Sequence, residues 1–405
     1  MDRKNAVTGM LTALPQEGCT VLIGPNGCGK TRLVQRLLRE SPSGDIRYIP
    51  FKDCYGGTAD REYYLQQRWQ AADEKDPRVL LSSGELRKYQ FGRYLKDRPR
   101  VLVVDNPFIG LDARSRDVFR NMLEETLSRG TALVLLLARE SEIPAFADRV
   151  VRLGNGSGKP SDRDGLPARF DAMIRELPPE TLPEGDPVVE FRHVALRYGT
   201  RTLFGPLDLC IRRGEKWALT GPNGSGKSAL LSMVCADNPQ AYACDIHMFG
   251  RRRGTGESIW DIKARIGYMS PEQHRAFRED YPVSRIIAGG VRTEAFLYGH
   301  PGEAEYRKAA FWMDVFGIRD LAERSYQRIS DGEQRLTLLA RAFARDPELL
   351  ILDEPMHGLD DANCRLVRDI ISAFCSRRGK TLIMVSHYED DFPSCIDHRL
   401  TLSPQ

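Results

Sequence analysis

The stretch Gly24-Pro25-Asn26-Gly27-Cys28-Gly29-Lys30-Thr31 recurs 197 positions later as Gly221-Pro222-Asn223-Gly224-Ser225-Gly226-Lys227-Ser228. Each copy follows an apolar, β-prone run (Thr20–Ile23, Lys216–Thr220) and leads into helix-forming sequence (Arg32–Leu38, Ala229–Val234). Glycines at this spacing let backbone N–H groups converge on phosphate oxygens, and the helix that follows contributes the positive end of its dipole. In such a loop Lys30 or Lys227 bridges the β- and γ-phosphates of a nucleotide, and Thr31 or Ser228 brings a hydroxyl to Mg²⁺. Two occurrences, both between a strand and a helix, make chance negligible.

Further elements repeat in the same order. Ser82-Ser83-Gly84-Glu85 returns as Ser330-Asp331-Gly332-Glu333, Val101–Pro107 as Leu349–Pro355, and Gly110-Leu111-Asp112 as Gly358-Leu359-Asp360. The phosphate loops are offset by 197 positions and the later motifs by 248, so the first copy is shorter by 51 residues in one place, before Ser82. This pattern of duplication predicts a first domain over 1–153, a linker over 154–187 and a second domain over 188–405. The linker is rich in glycine and proline, with one short helix expected near Pro167–Leu177. Within it Gly154–Lys159 imitates a phosphate loop, but Pro160 stands where a hydroxyl residue is required.

The runs ending in Asp105 and Asp353 read as buried parallel strands whose terminal carboxylates reach Mg²⁺ through water. The next residue decides hydrolysis. Glu354 can orient an attacking water or accept its proton, whereas Asn106 cannot take a proton. The alternative, that Asn106 is a tolerated neighbour of a working site, stays open at this point.

Composition narrows the function classes. The 405 residues, 41% hydrophobic and 28% charged, are those of a soluble chain of more than one domain. A net charge of +3 from 59 basic and 56 acidic residues gives no electrostatic case for nucleic acid. Arg251–Arg253 reads as a solvated loop. Nine cysteines without a CxxC pair exclude a disulfide framework and a zinc or iron–sulfur pattern, and fit a reducing cytosol. No signal segment is legible at the N-terminus, and no apolar run reaches the roughly 18 residues of a membrane span, so any membrane contact is expected through a partner.

The Ser-x-Gly-Glu segments resemble the signature motif of ATP-binding-cassette (ABC) ATPases. Asp112 and Asp360 match the D-loop aspartates, and Thr381–His387 completes the set, so the resemblance spans nearly the whole chain. Within that superfamily, Ser270–His274, Tyr64–Trp69 and Leu80–Glu85 are most similar to the ModF, or photorepair protein PhrA, type: tandem cassettes without membrane spans, associated with molybdate transport.

The resemblance implies an α/β fold of two P-loop cassettes, each a mainly parallel sheet flanked by helices, with the helical subdomain reduced in the first. It implies head-to-tail pairing within one monomeric chain, each ATP lying between one cassette's phosphate loop and the other's signature. His387 would be the switch histidine on the γ-phosphate, while the first copy has Ala138-Arg139 after the matching strand. Tyr198 would stack on adenine, or else pack in the core. Pro271 stands where transporter cassettes carry the Q-loop glutamine, Gln273 being a substitute through a shifted loop, and Ile46–Phe51 has none either.

The implied cofactors are ATP and Mg²⁺, and the implied activity is ATP hydrolysis at one composite site. The implied partner is a membrane permease, with this chain cytoplasmic or peripheral at the inner face of the cell membrane. A soluble ATPase that remodels a ribosome or another macromolecule, and an ATP-gated scaffold, are the alternatives. Tyr281–Ile287 and Phe296–Tyr298 supply apolar residues either for a docking cleft or for the helical subdomain's own core.

Overall fold

The computed structural model describes residues 14–40, 46–49, 91, 99–153, 165–178, 185–198, 201–235, 237–291 and 300–403. The signature Ser82–Glu85 of the first copy, the segments 64–69 and 296–298, and linker residues 154–164 lie outside these. Contacts divide the chain into two units, Met1–Asp162 with Gly358–Ala362, and Arg163–His357 with Asn363–Gln405.

In the first unit, β1 (Cys19–Ile23), β2 (Ile46–Ile49), β3 (Val101–Asp105), β4 (Ala132–Leu137) and β5 (Arg149–Arg152) form one sheet in the order β2-β3-β4-β1-β5. All its pairings are parallel. Strands β3 and β4 are buried at every position, which is why they read as unbroken apolar runs rather than alternating ones. The two-residue period splits them between two cores. Leu102 and Val104 face one side, where helix α2 (Ala113–Ser128) brings Phe119 and Leu123. Val101 and Val103 face the other, where α1 (Lys30–Glu40) brings Val34 and Leu37. The i,i+3 and i,i+4 spacings of those pairs put them on single helix faces. Asp112 caps α2, its carboxylate accepting from the Ser115 N–H at 2.7 Å.

The second unit begins with α3 (Ala168–Arg175), inside the stretch read as a linker, and the hairpin β6 (Pro187–Tyr198) and β7 (Arg201–Arg212). With β9 (Ile246–Met248) and β10 (Arg251–Arg252) these strands make an antiparallel sheet ordered β10-β9-β6-β7. A second sheet, wholly parallel, joins β8 (Lys216–Thr220), β11 (Ile266–Met269), β12 (Leu349–Asp353), β13 (Thr381–Val385) and β14 (His398–Thr401) in the order β11-β12-β13-β8-β14. Strand for strand this is the first unit's order, so the duplication seen in the motifs extends to topology.

Four further helices, α4 (Lys227–Val234), α5 (Ile259–Ala264), α6 (Pro271–Ala276) and α7 (Val283–Gly290), precede α8 (Glu303–Phe316), α9 (Asp331–Ala344) and α10 (Asp361–Cys375). Helices α7, α8 and α9 pack on one another. Trp312, Phe343 and Phe374 join α8, α9 and α10 through ring contacts with centroids 5.0–5.2 Å apart for Trp312–Phe343 and Phe343–Phe374. Such pairs add about 1 kcal/mol each to what ring burial contributes. Val283, Ile286 and Ile287 are fully buried in this subdomain, so they belong to its core and not to a docking cleft. No helix among the described residues is long and apolar enough to cross a membrane.

Candidate nucleotide site

Both phosphate loops leave the C-terminal ends of parallel strands, where ligands of open α/β sheets bind. In the second unit the loop runs from β8 into α4 through Gly226, whose φ of +90° is left-handed backbone that L side chains rarely adopt; a Cβ there would also meet the Phe204 ring at 3.0 Å. Lys227 Nζ donates to the carbonyls of Gly221 at 2.7 Å and Pro222 at 2.9 Å, so the ammonium lies across the loop's own mouth. Ser228 Oγ donates to Asp353 Oδ2 at 2.9 Å.

The first unit repeats this bonding atom for atom. Lys30 Nζ reaches the Gly24 and Pro25 carbonyls at 2.5 and 2.9 Å, and Thr31 Oγ1 donates to Asp105 Oδ2 at 3.0 Å. Burial lowers the Lys30 pKa, against the opposing pull of Cys28, Asp105 and Asp360. Asn26 donates its backbone N–H to Asp360 Oδ2 at 2.8 Å and its amide to the Gly358 carbonyl at 2.7 Å, within the same unit. Asp105 also accepts from Tyr48 Oη at 3.0 Å.

A hydroxyl and a carboxylate held together in each unit form a hard-oxygen donor set that fits Mg²⁺. In the second unit burial, followed by the nearby carboxylates of Glu272 and Glu354, pushes Asp353 well above the usual carboxylate range. A divalent cation reverses that penalty. Sequence reasoning looked to Gln273 and missed Glu272. Ser270 caps α6, accepting from the Gln273 N–H at 3.1 Å, and it is the Glu272 carboxylate that acts electrostatically on Asp353.

One residue beyond each strand the units diverge. Asn106 and Glu354 have left-handed backbones, φ +45° and +48°, and each donates its N–H at 2.9 Å to the neighbouring strand, to Leu136 and Val385 respectively. Asparagine tolerates that conformation, whereas for glutamate it costs about 1–2 kcal/mol. Glu354 is held nonetheless. Its carbonyl accepts from Arg335 of α9 at 2.9 Å, its Oε2 lies 2.8 Å from His357 Nδ1, and its Oε1 lies 3.0 Å from His387 Nε2. Burial alone would raise its pKa, but the two imidazoles hold the carboxyl well below its ordinary range. In the first unit the matching positions are Ile109 and Ala138, by the pairings Asp105–Leu136 and Asp353–Val385.

The remaining sequence-stated positions are plain. Tyr198 ends β6, opposite Arg201 across the hairpin. Ser330 caps α9 in a capping box with Glu333: the Ser330 N–H donates to Glu333 Oε2 at 2.7 Å, and the Glu333 N–H donates to Ser330 Oγ at 3.4 Å. Asp331 and Gly332 open the same helix.

His274 of α6 reaches Gln334 of α9, Nε2 to Oε1 at 3.3 Å, and burial, then the Arg335 charge, push its pKa down to about 3. An unfolded histidine titrates near 6.5. As pH falls below that, the unfolded chain takes the proton first, so this residue's contribution to stability is present above about pH 6.5 and lost toward pH 3. By pH 5 the loss is about 2 kcal/mol. Urea unfolding at pH 7.5 and pH 5 should therefore show a smaller drop for His274→Gln than for the parent by about that amount. Equal drops would refute it.

A family model for ABC transporter matches residues 204–357, and a model for AAA domain matches residues 14–139. The ABC transporter ATP-binding protein ModF of Escherichia coli is 33% identical over 96% of this chain and 80% of its own length. An uncharacterized ABC transporter ATP-binding protein of Schizosaccharomyces pombe is 32% identical over 79% of this chain and 68% of its own. The solved structure of cbiO1 from Clostridium perfringens, part of the ABC transporter complex cbiONQ, covers 54% of this chain and 85% of that one at 22% identity and TM-score 0.46. Two nucleotide loops on like parallel sheets, with a ModF-like sequence throughout, make this chain a member of the ATP-binding-cassette family, an ATPase that uses ATP with Mg²⁺.

Proposed function

We propose that hydrolysis is confined to one composite site, and that the cycle there drives a membrane importer for which this chain is the energy-coupling subunit. The carrying observation is the difference one residue past the two strands, Glu354 with an imidazole on each oxygen against Asn106 with neither. In this site Lys227 neutralises phosphate charge, and Glu354 orients the attacking water and accepts its proton. His387 turns from Glu354 to the γ-phosphate, and the resemblance implies Ser82–Glu85 of the first copy as the signature that belongs to this site. Ser228 and Asp353 would hold Mg²⁺, which would supply neutralisation of phosphate charge. Tyr198 stacks on adenine. The domains divide as 1–153 and 188–405 about the 154–187 linker.

Similarity to ABC transporter ATP-binding proteins supports the transport part of this reading, and the resemblance suggests import of a molybdate-type cargo. A second reading, a soluble ATPase that remodels a ribosome or other macromolecule, is favoured by Pro271-Glu272 after β11, where a transporter cassette has its glutamine. Affinity purification of Glu354→Gln with ATP, followed by membrane fractionation and ribosome pelleting, separates the two. Recovery with a permease in the membrane fraction is expected; recovery with ribosomes alone would overturn the importer role.

A further inference from the structure

We propose that His357 is a positioning residue for the hydrolytic carboxylate, an assignment that rests on reading Glu354 as the group that handles the attacking water. Neither the loop motifs nor the resemblance assigns it a role, and the first copy carries Ile109 in its place.

The geometry is local. His357 donates its backbone N–H to the Glu354 carbonyl at 3.1 Å, closing a turn across Pro355 and Met356 that folds the imidazole back over the carboxylate. Nδ1 then lies 2.8 Å from Oε2. An ionised carboxylate only accepts hydrogen bonds, so Nδ1 carries the proton and donates it. The His357 side chain is 15% exposed, so the bond forms in a largely dry setting where it counts for more than in water.

The backbone of Glu354 is already fixed at both ends, its N–H by Val385 and its carbonyl by Arg335. What remains free is the side chain, with three rotatable bonds on a left-handed residue that no regular helix or strand restrains. Each oxygen has one imidazole, and the two imidazoles differ in what else they can do. His387 follows β13 and is the one that turns to phosphate, which releases Oε1 for water. His357 is tied by its own turn and keeps Oε2. The carboxylate is thereby held through the step in which its other oxygen changes partner, and a misplacement of about 1 Å at such a group costs about 100-fold in rate.

The test uses the full chain, with steady-state ATPase kinetics, ATP binding and thermal melts. His357→Ala should lower kcat about 10- to 100-fold while KM for ATP stays within about twofold and the melting temperature holds. His357→Asn places an amide N–H near the position of Nδ1 and should recover kcat to within about threefold of the parent. On a Glu354→Gln background, His357→Ala should have no further effect, because the group it positions is gone. Normal kcat in His357→Ala, equal damage from Ala and Asn, or a fall in kcat that tracks a lowered melting temperature would each overturn the role of His357. Sustained turnover in Glu354→Gln would instead overturn the reading of Glu354 beneath it, and the two failures are distinguishable because Glu354→Gln is measured alone.

Discussion

Replacing Glu354 by glutamine should lower steady-state ATP hydrolysis by roughly 100- to 10,000-fold, the usual worth of a general base, whereas Asn106→Ala should change it by less than about twofold. Glutamine keeps the size of the side chain but cannot take a proton from water. It also removes the negative charge that His357 and His387 face at 2.8 and 3.0 Å, so the melting temperature should be recorded alongside the rate to separate lost chemistry from lost structure. Asn106 offers no proton acceptor to lose, and its backbone bond to Leu136 survives truncation. Parallel rate assays with Mg-ATP decide the matter, and equal losses from the two substitutions would sink the asymmetry of the sites.

The first copy should nevertheless hold nucleotide. Lys30, Thr31 and Asp105 keep the loop and side-chain bonds of Lys227, Ser228 and Asp353, so the unit that lacks a proton acceptor retains the residue types and arrangement of a phosphate cradle. Equilibrium dialysis with the non-hydrolysing Glu354→Gln protein should find two ATP per chain, and Lys30→Ala should weaken one of the two by about 30-fold, the worth of about 2 kcal/mol of charge-assisted hydrogen bonding. ATP in this loop should exchange slowly; the Asp331 carboxylate at the opening of α9, in the signature that the resemblance pairs with this loop, is a repulsive term that works against that retention. One ATP per chain, unchanged by Lys30→Ala, would refute the prediction.

What could be read from the chain, and what could not, follows from how far each function is fixed by spacing. A phosphate cradle needs glycines and a lysine at set positions between a strand and a helix, so both loops were legible, as were the buried strands ending in Asp105 and Asp353. The difference between Asn106 and Glu354 was legible because it is a difference of proton chemistry in a named position. His357 was not, because no spacing rule asks for a histidine three places after that carboxylate; the ring arrives there through a turn. An imidazole within one turn of a catalytic acid was the available signal. Glu272 was overlooked because attention fell on the amide beside it, although a carboxylate one residue into a helix capped by Ser270 has the stronger field at Asp353. The signature serine and glutamate were legible as a motif, yet in the second unit they also close a capping box, a local role that any Ser-x-x-Glu can play. The hairpin of β6 and β7 went unread since its strands, 12 residues each, are broken by irregular register that blurs the alternating pattern.

The left-handed backbone is common to Asn106 and Glu354, so it is the surroundings of that backbone at Asn106 that make the two halves unequal in their evolutionary prospects. A glutamate restored there would enter a disfavoured conformation with Ile109 and Ala138 where the second unit has imidazoles, so it would add about 1–2 kcal/mol of strain and gain no held carboxylate. A glutamate placed there alone would have no imidazole to hold it, whereas loss needs one substitution that also relaxes the chain. On the proposed division of labour, mutation runs more easily toward asparagine than back at this position, a ratchet that would hold such a cassette as a binder of nucleotide beside a hydrolysing sister.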